Sequence, residues 1–405
     1  MGRTEKLIVL MLITMNCALF ASSKGGTCEC GADPGERIHY LGPFADVTFH
    51  DPSVVSITGG PSRRIIRIQE SEMTAGEVTP FLLESSDNGS TWTARGKWGW
   101  TSASPSDPRF IYTYSSGCQL FSTSSDGGHH WRTPAYTVDS RPKEDFCRMV
   151  TGRPVAELEV GIAGIHPREP ATVYAVFWAT VYSPRAHAGY AEVEKTYSVP
   201  GMYVSRDAGD HWTLFSETVG NVSDDADAKP SIGVSPSNPD FMMAQSAAGI
   251  VRTNDGGKHW SAVGQQLELN RVPELAGRAE LVAQIQKKDP KFVPPELEFL
   301  KLHVTGIVFS PSSSSNVFLV TNKGVYRTED AGDTWCLLRV GERRISEVSG
   351  LLVDPQNPSR IFVGTHQKIM VSDDGGCHFR PFFDSRRPRG NRNQDLAGRP
   401  TGARR

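Results

Sequence analysis

Thr328-Glu329-Asp330-Ala331-Gly332-Asp333-Thr334-Trp335 is one copy of a pattern that occurs five more times in the chain. The pattern is Ser/Thr, any, Asp, any, Gly, any, any, Trp/Phe. It stands at Ser85–Trp92 (SSDNGSTW), Ser124–Trp131 (SSDGGHHW), Ser205–Trp212 (SRDAGDHW), Thr253–Trp260 (TNDGGKHW) and Ser372–Phe379 (SDDGGCHF). The chemistry of a tight turn explains the residue types. Asp87, Asp126, Asp207, Asp255, Asp330 and Asp374 can accept hydrogen bonds from nearby backbone N–H groups and close the loop. The glycine two residues on supplies a positive φ. Trp92, Trp131, Trp212, Trp260, Trp335 and Phe379 start a returning strand and can bury their rings between sheets.

A second element precedes the turns: Pro105-Ser-Asp-Pro108, Pro167-Arg-Glu-Pro170, Pro236-Ser-Asn-Pro239 and Pro355-Gln-Asn-Pro358, each followed by an apolar run such as TVYAVFWAT or RIFVGT. The prolines set a turn and break strand pairing, and the run after them reads as a buried strand. One repeat is therefore strand, proline turn, strand, loop, strand, Asp turn, strand. Self-similarity at this period predicts an all-β propeller with four antiparallel strands per blade. Six blades between about Val47 and Asp384 are expected, with seven as the alternative if residues 37–45 contribute.

The turn resembles the Asp-box (BNR) repeat of sialidase-like propellers, sortilin-type receptors, xyloglucan hydrolases and photosystem assembly factors. In those families the box joins the third and fourth strands of a blade and is structural. The resemblance covers about Val47–Asp384 and implies a fold; it is silent about activity.

Spacing between successive box aspartates is 39, 81, 48, 75 and 44 residues. The long gaps hold additions at residues 133–157, 182–199 and 265–302. The last has helical spacing at Leu275, Ala279, Val282 and Ile285, and so reads as a short helical insertion between blades four and five. Strand alternation puts all three on the face opposite the boxes. Function belongs on loops carried by a rigid scaffold, so that face is the expected site. Its richest cluster is Tyr182, Arg185, His187, Tyr190, Glu192 and Tyr197, which mixes aromatic, cationic and acidic groups as binding surfaces do. The predicted function is an exported binding module for a protein or glycan ligand. The alternative is a secreted glycoside hydrolase, xyloglucanase-like or, with less support, sialidase-like. A hydrolase would need a carboxylate pair across a cleft, for which Asp46 or Asp51 could be one member and Asp224, Asp225 or Asp227 the other. The Arg64-Ile65-Ile66-Arg67-Ile68 stretch lacks the proline of the sialidase Arg-Ile-Pro motif.

The 405 residues carry a formal net charge of −2, which gives no reason to expect nucleic acid. Residues 1–23 read as a signal peptide, with Arg3 and Lys6 before the apolar Leu7–Phe20, and no stable membrane insertion is expected. Residues 24–46 form a cysteine-containing segment, 47–385 the propeller and 386–405 a disordered basic tail. A monomer is expected, with no cofactor and no metal. Six cysteines outside the signal, Cys28, Cys30, Cys118, Cys147, Cys336 and Cys377, fit disulfides in an exported chain. Blade geometry suggests the pairs Cys336–Cys377 and Cys118–Cys147, with Cys28 and Cys30 a local pair or paired elsewhere. Asn88 and Asn221 head glycosylation sequons.

Overall fold

The computed structural model describes residues 53–58, 65–74, 77–97, 100–114, 121–153, 156–182, 193–220, 231–246, 249–263, 304–321, 324–340, 343–344, 348–365 and 368–384. They form an all-β propeller whose sheets are antiparallel with each strand pairing with its neighbour in sequence, the third sheet excepted. The first sheet is Ser53–Thr58, Ile65–Thr74, Glu77–Ser85 and Thr93–Lys97; the second is Trp100–Ala103, Ile111–Tyr114 and Ser122–Ser124. The third is built on Ala156–Ile165, Val173–Tyr182, Met202–Ser205 and His211–Ser216, and the fourth on Ile232–Val234, Met242–Ser246, Gly249–Thr253 and Ser261–Val263. The fifth is Val304–Ser310, Ser313–Thr321, Gly324–Thr328 and Cys336–Leu337, and the sixth Val348–Asp354, Asn357–Thr365, Lys368–Ser372 and Arg380–Asp384. First strands of successive sheets lie side by side, and Ser53–Thr58 also lies against Val348–Asp354, so the last sheet meets the first.

Every box sits between the third and fourth strands of its sheet, or, in the second sheet, after the third strand. There the chain makes only the isolated bridge Thr123–Arg132. The turn is closed by one repeated set of bonds. The leading Ser or Thr hydroxyl donates to Asp Oδ1 at 2.7–2.8 Å and accepts the glycine amide at 2.8–3.1 Å. The amide at the seventh position donates to the same Oδ1 at 2.8–3.0 Å. Its side chain takes Oδ2 at 2.5–2.6 Å, a Thr hydroxyl at Thr91 and Thr334 and an imidazole Nδ1 at His130, His211, His259 and His378. The leading hydroxyls are buried and satisfied, as buried polar groups must be.

The same turns dock one sheet on the next. A Cβ placed on Gly89 would stand 2.8 Å from the Phe382 ring of the sixth sheet, and one on Gly209 would collide with Phe121 of the second. Phe215 likewise lies over Gly257, Met243 over Gly332 and Leu338 over Gly376. Glycine is thus required for φ, +92° at Gly89 and +97° at Gly209, and for the apolar side chain seated on it. Arginines lace the boundaries. Arg67 donates to the Pro108 carbonyl, Arg132 pairs with Asp210, Arg252 with Asp333 and the Ala331 carbonyl, and Arg327 with the Gly375 carbonyl.

Two expectations change. The addition at 133–157 is not a loop on the far face. Thr137–Val138 pairs in parallel with His211 and Trp212, the Thr137 amide donating to the Asp210 carbonyl, so it begins at the box end of the third sheet as an extra outer strand. The helix Lys143–Thr151 then packs on the third sheet, ending at Gly152, whose φ of +67° and amide to the Arg148 carbonyl cap it. Cys147 on its inner side is a free, buried thiol, packed with Phe146 among Tyr136, Val160 and Phe177, so it does not pair with Cys118. Burial pushes its pKa up to about 11. Cys336 and Cys377 are each disulfide-bonded. The predicted helical insertion, residues 37–45, and Cys28, Cys30 and Cys118 lie outside the described residues.

Trp131, Trp212 and Trp335 donate their indole N–H to the carbonyl of their own box glycine at 2.9–3.1 Å, whereas the buried Trp260 Nε1 has no partner. Trp335→Phe should therefore cost about 1 kcal/mol more than Trp260→Phe, read as the difference in denaturant midpoints. Acid should attack the boxes themselves. The Thr91 hydroxyl, then the Thr91 amide and Ser85 hydroxyl, hold Asp87 at about 2. Burial opposes ionisation of Asp374, but the His378 amide, Ser372 hydroxyl and His378 ring still bring it to about 2. A carboxyl that binds its proton more weakly when folded contributes stability above about pH 4. That stability should drain away as pH falls toward 2, and Asp87→Asn should flatten the slope in urea titrations between about pH 5 and 2.

Candidate functional site

The third sheet departs most from the repeat, at its end away from the boxes. Its second strand, Val173–Tyr182, outruns the third: Val173–Ala175 pair with Tyr203–Ser205, while Trp178–Tyr182 pair with a further strand, Val193–Ser198. The expected loop at 182–199 is therefore partly a β-ribbon that prolongs the sheet. Where the chain crosses from ribbon to third strand it leaves a notch lined by Val176, Phe177, Trp178, Ser198, Val199, Pro200 and Gly220.

Two features give this notch chemical character. Trp178 is half-buried, and its indole lies across Gly161 of the innermost strand, where any Cβ would meet the ring. Beside it a polar row crosses three strands: the Thr180 hydroxyl donates to Glu159 Oε1 at 2.7 Å and lies 3.2 Å from the Thr196 hydroxyl. Glu157, two residues before Glu159 on the same strand and so on the same side, is exposed. Tyr197 packs against the core that includes Phe146 of the helix, with Lys195 Nζ 4.4 Å from its ring centre. The arrangement offers an aromatic plate, hydroxyls and carboxylates at an edge the propeller does not otherwise use. Among the described residues no cluster of three or more His, Cys, Asp or Glu could hold a metal.

The sequence-predicted residues divide sharply. Tyr182 ends the long strand and Tyr197 lies on the ribbon. Arg185, His187, Tyr190 and Glu192, and the acids Asp46, Asp51, Asp224, Asp225 and Asp227, lie outside the described residues, as does Asn221. Asn88 is exposed at the tip of the first box with a φ of +59°. Sequence reasoning missed Glu159, Trp178, Thr180 and Thr196. Their signal is faint: Trp178 and Thr180 share one face of VYAVFWATVY with Tyr174 and Val176, and nothing in that alternation sets them apart.

No protein family and no curated protein matches the sequence. Solved structures are similar in fold. A Niastella koreensis GH74 enzyme aligns at 14% identity and a TM-score of 0.44, over 84% of this chain and 47% of its own. An α-L-arabinofuranosidase from Fusarium graminearum aligns at 11% and 0.41, over 79% and 89%. A Penicillium chrysogenum α-L-arabinanase aligns at 11% and 0.41, over 83% and 97%. The chain spans about half the length of the GH74 enzyme.

Gly161→Ala should expel the Trp178 indole from its seat. The expected result is a loss of about 1–3 kcal/mol of stability and a red shift of tryptophan emission that is absent when the same change is made in a Trp178→Phe background.

Proposed function

We propose that the chain is an exported propeller whose six sheets form one closed ring, stapled between the fifth and sixth by Cys336–Cys377, and that it binds a glycan on the face opposite the Asp boxes. The observation that carries this reading is Trp178, seated over Gly161 at the mouth of a notch with the Glu159–Thr180–Thr196 row alongside. A sugar ring presents an apolar C–H face and a rim of hydroxyls, and a half-exposed indole beside hydroxyl and carboxylate acceptors complements both. Among the described residues no helix is long and apolar enough to cross a membrane.

A glycoside hydrolase is the second reading, favoured by one observation: Glu157 and Glu159 stand on the same side of the innermost strand next to the plate. Xyloglucan oligosaccharides and arabinobiose, chemistries named for the similar solved structures, are the probes to use in calorimetric titrations. Binding should weaken at least roughly tenfold in Trp178→Ala and less in Thr196→Val. Release of reducing sugar that disappears in Glu159→Gln, with binding kept, would move the conclusion to hydrolysis. Unchanged binding in Trp178→Ala would sink the proposed site.

A further inference from the structure

The proline turns carry a buried acceptor at their first position. Ser104 Oγ accepts the Asp107 amide at 3.4 Å, Ser235 Oγ the Asn238 amide at 3.2 Å, and Asp354 Oδ1 the Gln356 amide at 3.0 Å. In the third sheet that place is taken by His166, 8% exposed, whose Nδ1 accepts from the Arg168 amide at 3.3 Å and the Glu169 amide at 3.0 Å. Serine keeps its acceptor lone pairs at any pH, and imidazole does not: protonated at Nδ1 it would turn a third donor toward two donors.

The turn it holds has two outward connections. Its backbone is closed by His166 N to the Thr172 carbonyl and Thr172 N to the Glu169 carbonyl, and its Ala171 carbonyl accepts the Ala208 amide at the tip of the third box, all at 2.9 Å. Arg168 leaves it to donate through Nε to the Pro236 carbonyl and through Nη2 to the Ser237 carbonyl, both 2.9 Å, on the matching turn of the fourth sheet. The fourth sheet thus meets the third through an arginine whose backbone amide is itself bonded to His166.

We propose that His166 is a proton-operated latch: the neutral imidazole shapes the turn that ties the third sheet to the fourth through Arg168, and protonation releases that tie. The charged groups around it set the direction. Burial disfavours the imidazolium most, Arg168 on its own turn and Arg206 in the third box disfavour it further, and Glu169 alone favours it, so the His166 pKa lies below the ordinary imidazole value. The unfolded chain then binds the proton more readily. The latch is fully closed above about pH 6.5 and opens as pH falls toward the folded value.

The test is hydrogen exchange on the full chain at about pH 7.5 and about pH 5, corrected for intrinsic rates, together with denaturant midpoints across the same range. In the unmodified protein, protection at residues 166–172 and 236–240 should drop at the lower pH. The folding constant should fall roughly tenfold for each unit by which the imidazole is displaced. His166→Ser, the residue other sheets use, should keep those segments protected at both pH values. Parallel pH profiles for the two proteins would overturn the latch. Should His166→Ser not fold, Arg168→Ala decides the coupling. Exchange at 236–240 should then be raised at the higher pH and indifferent to pH, while 166–172 still responds. A retained pH response at 236–240 would overturn it.

Discussion

A short hydrogen bond from a serine or threonine hydroxyl to an aspartate two residues on, with the glycine amide donating back to the same hydroxyl, is the interaction on which the propeller depends. It fixes the glycine at positive φ with no side chain, and so opens a flat place on the rim of each sheet. Phe121, Phe215 and Phe382 fill such places from the sheet before. Local turn chemistry and sheet-to-sheet packing are therefore one constraint. A box that loses its aspartate loses its own closure, and with it the seat on which its neighbour is docked.

Among the described strands each sheet is built from one contiguous stretch, so the last sheet meets the first by packing rather than through a strand shared between them. Trp92 meets Phe382 and Phe383 edge-on at 6.3 and 5.4 Å, and the cluster of Ile57, Ile66, Ile68, Leu83, Phe362 and Ile369 fills the space beneath. At the other boundaries arginines add directional bonds to backbone carbonyls and to Asp210 and Asp333, at the sixth position of their boxes. The propeller is thus held by a repeated apolar contact whose register is set by polar groups, the division of labour expected where non-directional burial supplies most of the stability.

Much of this is legible in the sequence, because turn chemistry is local. Ser205, Asp207 and Gly209 are each dictated by bonds within five residues, so a pattern of letters carries the geometry. The seventh box position holds a signal of its own: Thr, His, His, His, Thr, His is no random series, and each member binds Oδ2. Long-range pairing is not legible. Nothing in Thr137–Val138 announces that it will pair in parallel with His211 and Trp212, since two residues carry no periodicity and their partner is set by the fold. Cys147 illustrates the same limit. Its expected disulfide follows from the face to which a loop is assigned, and the segment is instead a helix turning that thiol into the core. The notch at Trp178 arises where one strand outlasts its partner, a matter of relative length that no single stretch encodes.

The chemistry of the two faces differs for a physical reason. On the box face the carboxylates are occupied: each aspartate commits Oδ1 to a hydroxyl and an amide and Oδ2 to a Thr or His side chain, which leaves little acceptor capacity for a ligand. On the far face the third sheet has grown a ribbon, and the polar groups there serve no turn. Thr180 and Glu159 bond to each other across strands, an arrangement a regular blade does not need, next to an indole whose seat required the removal of a side chain at position 161. A fold that uses its box glycines to bring its own sheets together uses Gly161 to seat a tryptophan beside solvent. That departure from the repeat locates the candidate site more firmly than any single residue in it.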